Sequence, residues 1–150
     1  MRALFRNYTA RMPTPRDFAD FCCELLSSLG RVQAKRMFGG WGLSIDGLTV
    51  AIVADLGDGD RLWLKADADT LARFEAVGCK RFSYPMRRGS ETRMQSMNYY
   101  SAPEDAMDSA DTMATWARLA LQAAVAARAA KPPSRPKATL KRTSGRKPQG

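Results

Sequence analysis

Two stretches of this 150-residue sequence carry side chains in patterns able to do chemistry. In the first, Arg36-Met37-Phe38-Gly39-Gly40-Trp41-Gly42, glycines surround one tryptophan. Backbone N–H groups of such a run can hold an anion, with Arg36 supplying charge beside them. In the second, Arg81, Arg87, Arg88 and Arg93 interleave with Phe82, Tyr84, Tyr99 and Tyr100. Aromatic faces and guanidiniums on neighbouring strands are the ingredients of a surface that stacks bases and contacts phosphates. Arg36, Trp41, Arg87, Arg88 and Arg93 are therefore the candidates for a partner or ligand face.

Context narrows the first stretch. A dinucleotide fingerprint needs a third glycine where Ile45 stands, and a helix after it. A P-loop needs Gly-Lys-Ser/Thr, which does not occur. The Gly39 to Gly42 spacing matches the GxxG of KH domains, but that loop joins two helices and this one joins two strands. What remains is a structural role: a tight turn, a bulge, or a close backbone approach that seats Trp41. An anion on exposed N–H groups next to Arg36 stays open as the alternative. The second stretch has a plainer reading too, since strand alternation alone gives a buried aromatic side and a solvated charged side. Tyr99 and Tyr100 must then point to opposite faces.

Other chemistry is excluded by composition. There is no histidine, which removes Ser-His-Asp and Cys-His activation and every histidine-containing zinc site. Cys22, Cys23 and Cys79 are too few and too irregular for a disulfide framework and point to a reducing cytoplasm. Cys22 lies on an apolar helical face and reads as a packing residue. Asp55, Asp58 and Asp60 lack the EF-hand spacing and read as solvated turn residues. Asp105, Asp108 and Asp111 precede or open a helix, where the dipole favours negative charge. No catalytic residue, cofactor or metal is expected. No apolar run is long enough to span a membrane.

The elements that must position these residues follow from periodicity. Residues 14–29 read as a helix with Thr14 as cap, an apolar stripe of Phe18, Phe21, Cys22, Leu25 and Leu29, and Gly30 as terminator. Four short strands follow as an antiparallel meander: residues 32–38, 41–45, 48–54 and 61–66, with Asp46-Gly47 as a hairpin turn. Residues 66–78 read as a second helix capped by Asp67, burying Leu71, Phe74 and Val77 and closed by Gly78. Two further strands flank Arg88-Gly89-Ser90, the first weakened to an edge by Pro85. A long helix from Pro103 or Ser109 to Ala130 presents Met113, Trp116, Ala117, Ala120 and Ala124. The fold class is α+β.

Charge divides the chain into three parts. Residues 1–13 form a flexible basic extension, for which a presequence or a translation start at Met12 is also readable. Residues 14–130 form one domain. Residues 131–150 carry Lys131, Arg135, Lys137, Lys141, Arg142, Arg146 and Lys147 with four prolines and no acid. This tail is expected to be disordered, because it cannot bury enough surface to offset the entropy of ordering. The whole-chain charge of +9 is terminal in origin, since residues 17–130 sum to −2. The seven tail cations suit non-specific nucleic-acid contact, with a solubilising or linker role as the competing reading.

These residues carry a resemblance. Arg36 to Leu43, Asp46-Gly47, Leu62-Trp63-Leu64-Lys65, Phe82-Ser83-Tyr84, and Met97-Asn98-Tyr99-Tyr100 before Pro103 resemble the TfoX/Sxy N-terminal domain over residues 17–127. Met37, Phe38, Gly39, Gly40, Gly42, Tyr99 and Tyr100 are the signature positions. The resemblance implies a secretion-chaperone-like α+β fold and supplies no catalytic residues. It also implies a regulator of natural competence acting with a cyclic-AMP receptor protein at promoters, and full-length members carry a second, C-terminal domain. The expected function is a non-enzymatic regulatory adaptor with a protein partner and tail-assisted DNA attraction. A small ligand-binding or catalytic domain, or a self-associating structural module, are the alternatives.

Overall fold

The computed structural model describes residues 14–37 and 39–130. Thirteen leading residues, Phe38 and the tail 131–150 lie outside them, and with them all seven tail cations and the expectation of disorder there. The order is α1 (Arg16–Leu25), β1 (Gln33–Met37), β2 (Gly40–Ile45), β3 (Leu48–Asp55), β4 (Asp60–Lys65), α2 (Leu71–Ala76), β5 (Arg81–Arg88), β6 (Glu91–Ser101) and α3 (Ala110–Ala130). Short 3-10 turns follow α1 and precede α3. The fold is α+β, as the periodicity requires.

All six strands join one antiparallel sheet in the order β1-β2-β3-β4-β6-β5. The meander β1 to β4 arises because the turns between these strands are short. Asp46 and Gly47 both take positive φ, 52° and 81°, the geometry whose twist matches two flanking strands. After β4 the chain passes through α2 to reach the outer position of β5, and β6 returns to fill the gap. Pro85 thus sits on an edge strand, where its missing N–H costs no ladder bond.

The two faces of the sheet are packed differently. One face carries the row Leu43–Ala51–Leu64–Tyr100 across four strands, beside Trp41–Val53–Leu62. Helix α3 lies on this side with Met113, Ala117, Ala120 and Ala124 buried, and its small alanines let the helix approach the strands closely. Phe74 of α2 stacks on Tyr100 at 5.6 Å and touches Trp116 at 5.1 Å. Each fully buried large side chain contributes about 1.5–3 kcal/mol, so this layer holds most of the stabilisation. The opposite face holds a smaller cluster, Ile52, Trp63, Phe82 and Tyr99.

Local expectations fail where tertiary packing outbids them. Thr14 does not cap α1; Pro15 is the N-cap, and the Thr14 hydroxyl donates instead to Asp60 Oδ1 at 2.9 Å. The helix stops at Leu25 and its buried stripe is Ala19, Cys22 and Leu25, continued by Leu26. Phe21 is left 43% exposed and Val77 57% exposed, so neither belongs to its anticipated stripe. Asp67 bonds the amides of Asp69 and Thr70 while the Thr70 hydroxyl accepts from the Asp67 amide. That reciprocal box closes the turn before α2, with Thr70 as the N-cap.

Candidate functional site

The glycine stretch forms the β1–β2 turn and its descending strand. Gly39 takes φ +78°, a conformation that disfavours a side chain. A Cβ on Gly40 would run into the Val53 carbonyl oxygen, and one on Gly42 would sit 2.5 Å from Met37 Sδ. The glycines thus let β3 and the Met37 side chain approach. Trp41 is 4% exposed, and its indole N–H donates to the Thr14 carbonyl at 2.9 Å. The Thr14 amide in turn donates to the Gly39 carbonyl at 3.0 Å. Arg36, the cross-strand partner of Trp41, holds its guanidinium 4.8 Å from the ring centroid, and Arg16 holds its own at 5.1 Å. The indole is a seat for two arginines of this chain rather than an open stacking platform.

The second stretch forms the β5–β6 hairpin. Its register pairs Met86 with Arg93 and Arg88 with Glu91, which sets Arg88 and Arg93 on one side, while Arg87 opposite Thr92 points to the other. Arg88, Arg93, Met86 and Gln95 line a hollow of ≈ 140 Å³ near the hairpin tip. Arg81 folds back onto β6, donating to the Met97 carbonyl and to Asn98 Oδ1 at 2.7 Å. Closer to the sheet centre, Trp63 meets Phe82 edge-on at 5.2 Å, and Phe82 touches Tyr84 and Tyr99. Lys65 Nζ lies 5.0 Å over the Tyr99 ring.

Tyr99 and Tyr100 do face opposite ways. Tyr99 joins the small cluster, and burial pushes its hydroxyl pKa up. Tyr100 enters the main core, where burial and then its hydrogen bond to Glu75 Oε2 at 2.7 Å push its pKa up. The five anticipated face residues are not brought together. Arg36 and Trp41 occupy the helix-side corner, Arg88 and Arg93 the far hairpin, and Arg87 its reverse side.

The carboxylates of the β3–β4 turn hold structural hydrogen bonds, and the three thiols are free. Asp55 accepts from the amides of Gly57 and Gly59, and Asp60 from Thr14. Asp58 binds Arg61 and Lys80, each at 3.1 Å; burial pulls its pKa up, but these hydrogen bonds and charges win and hold it below the usual value. Burial, and then the Cys23 thiol, push Cys22 up to about 12, and burial raises Cys23 and Cys79 as well. These thiols are poor nucleophiles, because the reactive species is the thiolate. Among the described residues no group of acids and cysteines is placed to hold a metal, and no helix is long and apolar enough to cross a membrane.

Three contributors escape sequence reasoning. Arg16 counts there only as terminal charge, Thr14 as a helix cap, and Lys65 as a strand residue. Nothing in their spacing relates positions 14 and 16 to 41, or 65 to 99, before the strands pair.

Two comparisons bear on this arrangement. The TfoX N-terminal domain profile matches residues 24–124, from the end of α1 into α3. The DNA transformation protein TfoX1 of Aliivibrio fischeri (strain ATCC 700601 / ES114) is 32% identical over 81 residues, covering 54% of this chain and 35% of that protein. The chain therefore aligns to about a third of the relative's length.

Proposed function

The chain belongs to the TfoX N-terminal domain family, and on that premise we propose that it is a non-enzymatic adaptor in the regulation of DNA transformation. It works through contact with a protein partner, and the basic tail adds non-specific attraction to DNA. The observation that carries the reading is the family match across the helix-and-sheet body, together with a relative named for DNA transformation. The non-enzymatic part is supported by the engagement of Asp58, Asp60 and Glu75 in bonds that hold the fold. The tail's seven cations supply the electrostatic part.

A DNA-binding comparison of the intact chain with a 1–130 truncation, across salt concentration, tests the tail. Seven phosphate contacts give a log–log salt slope of about −6. Equal binding by both forms at low salt removes the tail from the account. Co-sedimentation with a cyclic-AMP receptor protein, the partner that the family resemblance names, tests the adaptor role. Its prediction is an association that the 1–130 form retains.

A further inference from the structure

β1 is the last strand on its side of the sheet, so one row of its backbone N–H and C=O groups has no neighbouring strand among the described residues. A groove of ≈ 760 Å³ runs there. Arg16, Asp20 and Cys23 line it from α1, at spacings that fall on one helical face. Gln33, Ala34 and Lys35 line it from the strand itself, Val32 from just before it, and Ser44 and Thr49 from the next two strands. A strand edge beside a helix is the geometry in which an extended peptide adds to a sheet, its backbone giving affinity and its side chains specificity.

We propose that this groove takes an extended, acidic segment of a protein partner, which adds to β1 as another strand of the sheet. The charge at the edge decides the chemistry. Arg31, Lys35 and Arg36 lie on or just before β1, and residues 31–37 contain no acid. Arg16 and Arg36 are both pre-positioned on the Trp41 ring, so their ordering cost is already met before a partner arrives. Among the described residues Asp20 is the one carboxylate lining the groove, and Arg16 Nε lies 3.7 Å from it. Lys35 and Arg36 project to alternate faces, so carboxylates at successive positions of the incoming segment meet a cation on either side.

The other candidates fit less well. A second copy pairing β1 with β1 would set Lys35 and Arg36 against their own kind, which is destabilising. The opposite edge, β5, carries Pro85, whose missing N–H breaks the row an added strand needs. The proposal takes its protein partner from the adaptor reading, but the groove can be probed alone. Failure of the groove leaves tail-dependent DNA binding standing, and failure of that binding leaves the groove standing.

The probe is a fluorescein-labelled octapeptide of alternating glutamate and valine, titrated into the full chain by fluorescence anisotropy. Its twin, N-methylated at alternate backbone amides, should bind about tenfold or more weakly, because strand addition depends on main-chain hydrogen bonds. Lys35→Glu and Arg16→Glu should each weaken the unmethylated peptide by about tenfold through charge reversal at the edge. Amide hydrogen exchange at Gln33–Met37 should slow when the peptide is bound. Equal binding of the methylated twin, or binding that neither reversal alters, would mean attraction to the tail alone and overturns the proposal. No binding at low salt overturns it too. So does a dimer by sedimentation that Lys35→Glu enhances, since the edge then belongs to a second copy. Lys35→Ser serves where a reversal fails to fold.

Discussion

Trp41 and Trp63 are almost equally buried, at 4% and 2%, yet they sit on opposite faces and are held by different means. Trp41 belongs to the face that α3 covers, and its rim is closed by Thr14, Arg16 and Arg36. Trp63 belongs to the small cluster, where Ile52, Phe82 and Tyr99 bury one another. Its indole N–H reaches the Ala54 carbonyl at only 3.4 Å. The difference teaches that burial alone does not measure how tightly a region is specified. The first corner is fixed by backbone contact and paired polar groups from four segments, the second mainly by rings meeting at their edges.

Ring deletion should separate the two faces most widely. Phe74→Ala removes a fully buried ring from between Tyr100 and Trp116 and should cost about 4 kcal/mol, whereas Phe82→Ala should cost about 2–3 kcal/mol. Urea unfolding of both variants reads this, and equal losses would erase the distinction. At the Trp41 corner, Gly40→Ala should cost about 3 kcal/mol, because only backbone can move away from the new methyl. Gly42→Ala should cost about 1 kcal/mol, since the Met37 thioether can swing aside. Similar losses at the two glycines would mean that the close approach to Val53 does not matter.

Thiol chemistry probes the same contrast in depth. Cys22 should react with a disulfide reagent only on unfolding, with Cys23 and Cys79 reacting first. Its folded pKa of about 12 lies above the unfolded value of 9.0, so its contribution is intact below 9.0 and is lost as pH rises towards 12. The denaturation midpoint should therefore fall over that window, and less steeply in Cys22→Ala. The smallest effect belongs to Asp58, whose partners are half-exposed. Asp58→Asn should cost about 0.5 kcal/mol after solvent screening. Its lowered pKa makes that contribution present above the ordinary 3.8 and lost as pH falls through the folded value, which acid titration of both forms reads.

Periodicity made much of this legible. The meander, the Asp46-Gly47 turn, Gly78 as terminator and the edge position of β5 follow from local rules that the tertiary structure leaves in force. So does the split of Tyr99 from Tyr100, because alternation along a strand is a covalent consequence of its geometry. The RMFGGWG run was legible as a place where backbones approach, though not as to which atom required the space. Phe21 falls off the buried stripe because a helix can rotate to suit its neighbours, and Val77 because α2 ends at Ala76 and leaves it as the C-cap.

By itself the sequence determined the element order, the fold class, the family and the terminal placement of its charge. Each of these is local or additive: a period, a turn residue, a count. Tertiary structure alone decided that Arg16 and Arg36 share the Trp41 ring, that Thr14 ties the chain's entry to β2 and β4, and that Arg87 parts from Arg88 and Arg93. It also decided that a cationic edge faces a groove beside α1. Those are contacts between residues far apart in the chain. They exist only once strand register and helix rotation are set together by the packing of the whole core.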